Sequence, residues 1–431
     1  MNVLVLGAYG FIGSSVVDAL VARGWDVIGV GRSIDAARRR RPDVRWRAAD
    51  IARLAAPDDW ALLLQGVDAV VNCAGALQDG GRDDVSAVQA RAMFALYGAA
   101  ARAGVAHIVQ ISATRAAEDA DTVFMRSKGE ADAALKASGL IWTILRPGLV
   151  VGPGAYGGTA LLRGLAAFPI VSPTLAGAGP IQTAGVDEVA EAVVAALDGR
   201  VPPNVVYDLV EDAPHSLEEI VAAFRVWLGH PAGVRIALPR GLARVLCRAG
   251  DLFGWLGWRP PLRTTALNEI EAGVRGDAAR WRAARGAGLR PLGDTLARMP
   301  SSIQERWFAR LFLLKPFAIS VLAAFWIASG AIALFRFDAA VGVLADRAGS
   351  PGLSALAVGG GAVLDLALGF GLLLRRTHVA AALGMVATTC IYLLLGSVLA
   401  PDLWLDPLGP LVKTWPGLAL ALVVAAIAED R

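Results

Sequence analysis

Three glycines, Gly7, Gly10 and Gly13, stand at even spacing after a short apolar run at 3–6 and before an apolar stretch at 14–22. Glycine lets the chain turn tightly and lets the backbone approach a ligand closely. A strand that ends in such a turn and resumes as a helix aims free N–H groups and the helix dipole at one point. An anion suits that point, and this spacing in this context suits the pyrophosphate of a dinucleotide. Ala8, Tyr9, Phe11 and Ile12 complete the loop and are expected to line it.

The elements that position this loop follow from the pattern around it. Strands are expected at 2–6, 26–30, 44–48, 69–72, 106–111 and 141–145, with helices between them, clearest at 88–103 and 122–138. The alternation predicts an α/β fold, a doubly wound parallel sheet of the Rossmann kind. Ligands then bind beyond the carboxyl ends of the strands. After the second strand stands Gly31-Arg32-Ser33. An acid there would bond a ribose 2′-hydroxyl; Arg32 instead suits a 2′-phosphate, so NADP(H) is expected ahead of NAD(H). Asp50-Ile51 follows the third strand, placed to cover the adenine. Asn72-Cys73-Ala74-Gly75 follows the fourth, small residues for the pyrophosphate and ribose. Ile111-Ser112-Ala113 and Arg146-Pro147-Gly148 follow the fifth and sixth.

This ordered set resembles the short-chain dehydrogenase/reductase superfamily in its extended and atypical branches. The likeness covers about residues 1–300 and looks toward the nucleotide-binding accessory subunit of respiratory complex I. It implies a cofactor site that includes Pro147, and a catalytic pair of Ser112, bonding a substrate oxygen, and Lys128, holding the nicotinamide ribose. One departure matters. The superfamily's Tyr-x-x-x-Lys signature reads here Phe124-Met125-Arg126-Ser127-Lys128. The family's tyrosine gives a proton to the substrate carbonyl as hydride arrives, and a phenyl ring has none to give. Tyr156, in the glycine-rich stretch 152–158, is the candidate substitute donor.

Residues 210–300 are expected to form a small substrate-side lobe and linker. Ser216 and Glu219 have the spacing of a capping box at a helix start. Further on the chain is rich in arginine, tryptophan and proline, with Trp255, Trp258, Arg259, Pro260, Pro261 and Trp281. That mixture suits a membrane interface, and equally a basic helical lobe.

The whole chain of 431 residues is 55% hydrophobic and 18% charged, with net charge +3 and mean hydropathy +0.53. So apolar a composition predicts that part of it lies in a membrane. The charge gives no reason to expect nucleic acid, and the basic run at 38–41 reads as a solvated helix face. Three cysteines without paired spacing read as reduced thiols, and four histidines without ligand spacing imply no metal. No leader is expected ahead of the first strand. Stretches 311–335, 353–374 and 379–399 can each span about 30 Å of hydrocarbon, and 415–428 is a shorter fourth. Arg306, Arg310 and Lys315 precede the first, and Arg375 and Arg376 separate the second from the third. The positive-inside rule puts both groups on the cytosolic side, and with them the N-terminal domain of a multi-pass protein. Lys315 and Asp365 are placed to pair across antiparallel helices; otherwise Lys315 reaches the headgroups and Asp365 is held by a hydroxyl. Lys315-Pro316, Asp365 and the loop 406–410 resemble the DoxX-like family of four-helix membrane domains, which divides the chain at 1–300 and 301–431. That family's links to quinone chemistry, with a membrane tether, point to an NAD(P)H-dependent oxidoreductase acting on a quinone or another apolar acceptor. The other reading is a non-catalytic NADP(H)-binding scaffold, assembly factor or redox sensor at the membrane.

Overall fold

A computed structural model describes residues 1–75, 79, 84–258 and 260–428; Arg259 lies outside them. The chain divides into two compact units, residues 1–251 with 260–309 and residues 252–259 with 310–431.

In the first unit β1 (Asn2–Leu6), α1 (Phe11–Ala22), β2 (Asp26–Gly31), α2 (Asp35–Arg40), β3 (Arg45–Ala48), α3 (Ala61–Leu64), β4 (Ala69–Asn72), α4 (Ala92–Ala103), β5 (His107–Ile111), α5 (Val123–Ala137) and β6 (Trp142–Pro147) alternate as the sequence pattern predicts. There follow β7 (Leu149–Val151), α6 (Gly157–Ala166), β8 (Val171–Leu175), β9 (Thr183–Gly185), α7 (Val186–Leu197), β10 (Val205–Leu209), α8 (Leu217–Trp227), β11 (Val234–Leu238), α9 (Arg240–Trp255), α10 (Thr264–Ala272), α11 (Ala279–Arg285) and α12 (Leu292–Ala297). The main sheet has seven parallel strands in the order β10-β6-β5-β4-β1-β2-β3.

Val3 to Leu6 are fully buried, as expected of a strand covered on both faces. Their side chains alternate between two cores. Val3 and Val5 pack with Val16, Val17 and Leu20 of α1 and Val189 and Val193 of α7. Leu4 and Leu6 pack with Met93 and Leu96 of α4 and Leu135 of α5. The chain runs outward from β1 through β2 and β3, then returns to β4 on the other side. That reversal opens a crevice at the carboxyl ends of β1 and β4, where such sheets bind ligands.

A satellite core around Ile220 and Phe224 of α8, Leu228 just beyond its end and Leu292 of α12 builds the small lobe. The capping box at its entrance is formed. Ser216 Oγ accepts from the Glu219 N–H at 3.2 Å, and Glu219 Oε2 accepts from the Ser216 N–H at 2.7 Å.

The second unit is helical: α13 (Ile303–Phe335), which enters it at residue 310, α14 (Phe337–Ala348), α15 (Pro351–Leu373), α16 (His378–Leu399) and α17 (Trp415–Ile427). Among the described residues α13, α15 and α16 are long and apolar enough to cross a membrane. The 13 residues of α17 reach only ~20 Å at the helical rise, short of the hydrocarbon thickness. Glycines let the backbones close up. A Cβ on Gly369 would come 2.6 Å from Ile327 Cγ1, and one on Gly330 would come 2.6 Å from Ala362 O. These contacts run antiparallel and level Asp365 with Ser329. Asp365 accepts from Ser329 Oγ at 2.9 Å and from Tyr392 OH at 3.2 Å. The expected pairing with Lys315 is therefore corrected. Lys315 lies about four turns, or ~21 Å, further along α13 from Ser329.

Candidate functional site

The glycine loop is built by contact. Gly7 adopts φ +68°, and its N–H donates to Val30 O at 3.1 Å. The Gly10 N–H donates to Gly7 O at 2.9 Å. A Cβ on Gly13 would sit 2.1 Å from Gly7 O, so only glycine lets α1 pack on the loop. The first turn of α1 has no side-chain cap and no acid. Its N–H groups and dipole face the crevice, which fits a pyrophosphate.

On the β2 side, Tyr9 OH accepts from the backbone N–H of Arg32 at 3.1 Å and of Ser33 at 3.4 Å. Gly31 makes room for that ring, since a Cβ there would lie 2.0 Å from Tyr9 Cε1. Tyr9 thus fixes the turn that presents Arg32. Asp50 accepts from the Ala52 N–H at 3.3 Å and stands 3.6 Å from Arg53. Ile51 is buried in the core with Leu6 and Val30. Beyond β4, Asn72 Oδ1 accepts from the Ala74 N–H at 3.0 Å, and its Nδ2 donates to Gln110 Oε1 at 2.9 Å. Tyr97 OH also donates to Gln110, at 3.3 Å. These bonds shape the Cys73-Ala74-Gly75 turn. Burial pushes the Cys73 thiol up to about 12, so it stays a neutral thiol.

Lys128 projects from α5 into the crevice. Its Nζ donates to Ile111 O at 3.0 Å and stands 5.6 Å from the centre of the Phe124 ring. A Cβ on Gly75 would be 3.9 Å from that nitrogen, so Lys128 lies against the β4 turn, where it can meet a ribose hydroxyl. Burial draws its ammonium down to about 8, against the pull of Asp132. One turn on, Asp132 is 1% exposed. Its Oδ2 accepts from Ser112 Oγ at 2.8 Å and from Arg146 Nε and Nη2 at 3.1 and 2.8 Å. Burial raises its carboxyl, and Arg146 opposes that shift. Ser112 therefore gives its proton inward. Asp208, level with Arg146 on β10, accepts from the Asp277 N–H at 2.9 Å. Pro147 ends β6, buried beside Leu209 of β10.

The start of α5 is fixed from the small lobe. Thr122 Oγ1 donates to Glu269 Oε1 of α10 at 2.6 Å and accepts from the Met125 N–H at 3.2 Å. Tyr156 lies elsewhere. Its ring stacks on Phe11 at 6.3 Å between centroids, at the glycine loop.

Sequence reasoning passed over Asp132, Gln110 and Glu269. Asp132 stands four residues after Lys128, on the same face of α5. Gln110 interrupts an otherwise apolar buried strand, as Asn72 does. Glu269 carries no such signal.

Residues 7–166 match the NAD(P)H-binding family, and residues 323–422 match the DoxX-like family. The chain joins an NAD(P)H-binding Rossmann domain to a C-terminal DoxX-like domain. It is 28% identical over 271 residues to the NAD(P)H azoreductase of Xenophilus azovorans, across 63% of this chain and 86% of that protein. Among solved structures, the Citrobacter sp. triphenylmethane reductase complexed with NADP(H) superposes with TM-score 0.54 at 20% identity, over 70% of this chain and 100% of that one. Bordetella bronchiseptica WbmH in complex with NAD+ superposes with TM-score 0.52 at 18% identity, over 72% and 97%. The Thermus thermophilus UDP-glucose 4-epimerase complex with NAD gives 0.51 at 19%, over 69% and 96%. At these identities the superpositions establish the Rossmann fold of the first unit.

Proposed function

We propose that the chain is a membrane-tethered NAD(P)H-dependent oxidoreductase whose acceptor is an apolar, conjugated molecule of the bilayer, of the quinone class. The nicotinamide supplies a hydride when bound. Gly7, Gly10 and Gly13 hold the pyrophosphate. Arg32 takes the 2′-phosphate of NADP(H), and Lys128 with the Cys73-Ala74-Gly75 turn takes the nicotinamide ribose. The observation that carries the reading is the buried Lys128 beside Phe124. Where Phe124 has no proton to give, the Lys128 ammonium can release one near neutral pH, because burial has lowered its hold. A quinone that takes a hydride needs one proton more to become the quinol, and collects it from such a group or from water. The azoreductase relative, named for reducing a conjugated bond, supports that acceptor class. The long apolar helices and positive-inside charges support a membrane tether with the Rossmann domain on the cytosolic side.

The second reading, a cofactor-bound scaffold, is favoured by one observation: Ser112 donates to Asp132, so its proton is already engaged. NADPH deuterated at the transferred position separates the two. The enzyme reading expects quinol formed at the expense of NADPH and a turnover slowed by the label, which the quinol hydroxyl then loses to water. Tight NADPH binding with no quinol formed from any quinone supports the scaffold.

A further inference from the structure

Helix α9 carries its side chains in three stripes. Ala243 and Cys247 face inward, 7% and 1% exposed, packed with Leu267 and Leu175. A Cβ on Gly250 would come 1.9 Å from Leu262 O, so this inner stripe admits small residues only. Arg240, Arg244 and Arg248 form a second, exposed stripe. The third holds Leu242, Val245, Leu246 and Leu252, which are 51, 62, 42 and 64% exposed. Trp255, at the end of the helix, is 74% exposed. A helix on a water-facing domain turns its bulky apolar residues to the core. This one buries its smallest residues and leaves the bulky ones outside, and such a patch rimmed by charge marks an interaction surface.

Two features identify what covers it. Arginines flanking an apolar stripe suit a helix lying in an anionic lipid interface, and tryptophan concentrates there. The chain after the helix is also pinned to the bilayer-length helices. Trp258 Nε1 donates to Leu373 O at 2.7 Å, and its ring lies 5.1 Å from that of His378. The Arg375 N–H donates to Leu256 O at 3.3 Å. Leu373 ends α15 and His378 begins α16, so the segment meets the turn that carries Arg375 and Arg376.

We propose that α9 is an interfacial helix, with its Leu242, Val245, Leu246 and Leu252 stripe in the headgroup–acyl boundary and Arg244 and Arg248 on anionic lipid phosphates. The inference rests on the membrane reading above. It is tested on the full chain in nanodiscs of phosphatidylcholine and phosphatidylglycerol containing a lipid with a photoreactive diazirine near the headgroup, with adducts mapped by mass spectrometry. Adducts are expected in the peptide covering 241–255 as well as in α13, α15 and α16, and not in 61–64, where Leu62 is 80% exposed. Arg244→Gln with Arg248→Gln, or omission of phosphatidylglycerol, should lower the α9 yield several-fold. Labelled spans with an unlabelled α9 would overturn the inference, as would protein–protein crosslinks through α9 in place of lipid adducts. A yield indifferent to both charge changes would overturn the role of the two arginines. Unlabelled spans would instead overturn the membrane reading itself.

Discussion

Phe124 stands where the resemblance expects a hydroxyl, and the ammonium of Lys128 lies 5.6 Å from the centre of its ring. Phe124→Tyr should restore a positioned general acid and raise carbonyl reduction, by about 10²–10⁴-fold if the pocket is built for it. No gain on any carbonyl substrate would favour the scaffold. The proposed role of Lys128 sets a pH dependence of definite sign. The ammonium is the proton-giving form, and burial lowers its loss to about 8. Turnover should therefore fall as pH rises through about 8, and Lys128→Met should lower turnover and remove that limb. At the other end of the crevice, Arg32→Asp should weaken NADPH far more than NADH, by roughly 1.5–3 kcal/mol for a charge-assisted contact. Equal losses measured by titration would remove Arg32 as the 2′-phosphate ligand. At this scale the sequence showed Lys128 and the missing hydroxyl directly. It did not show that Ser112 turns to Asp132, because that depends on how α5 packs against β5 and β6.

The helix that carries Phe124 and Lys128 is held at its first turn by Thr122, which Glu269 grips from α10. Thr122→Val removes both the cap and the grip. It should cost about 1–2 kcal/mol in denaturant unfolding, while Glu269→Gln, which keeps an acceptor, should lose less. In the second unit, a double-mutant cycle on Asp365→Ala and Ser329→Ala should give coupling near 0.6 kcal/mol in detergent. A cycle of Asp365→Ala with Lys315→Ala should be additive, since Asp365 bonds two hydroxyls about four turns from Lys315. Coupling to Lys315 and none to Ser329 would contradict the observed packing. Five of the six leading strands were legible as short, largely apolar runs bounded by turn residues; β3, with Arg45 and Arg47, is no such run and fits only the spacing of the strand–helix alternation. β10 was not: its five residues are broken by Asp208 and lie beyond the clear alternation. α14 was hidden by its acids, Asp338 and Asp346, between two strongly apolar stretches.

At the scale of the molecule, the division into a Rossmann domain and a shorter, strongly apolar part was legible. The glycine spacing and the long apolar helices carried that division. Which acceptor the protein serves was not legible, since the site is lined by contacts made far apart in the sequence. The account's central claim is that hydride passes from NAD(P)H to an acceptor held in the bilayer. The most direct measurement follows the nicotinamide absorbance with the full chain in anaerobic lipid nanodiscs, supplied with isoprenoid quinones and with a water-soluble short-chain analogue. The account predicts that NADPH is consumed one for one with quinol formed, faster with the lipid-soluble quinones. NADPH bound tightly, with no consumption on any quinone, would contradict it.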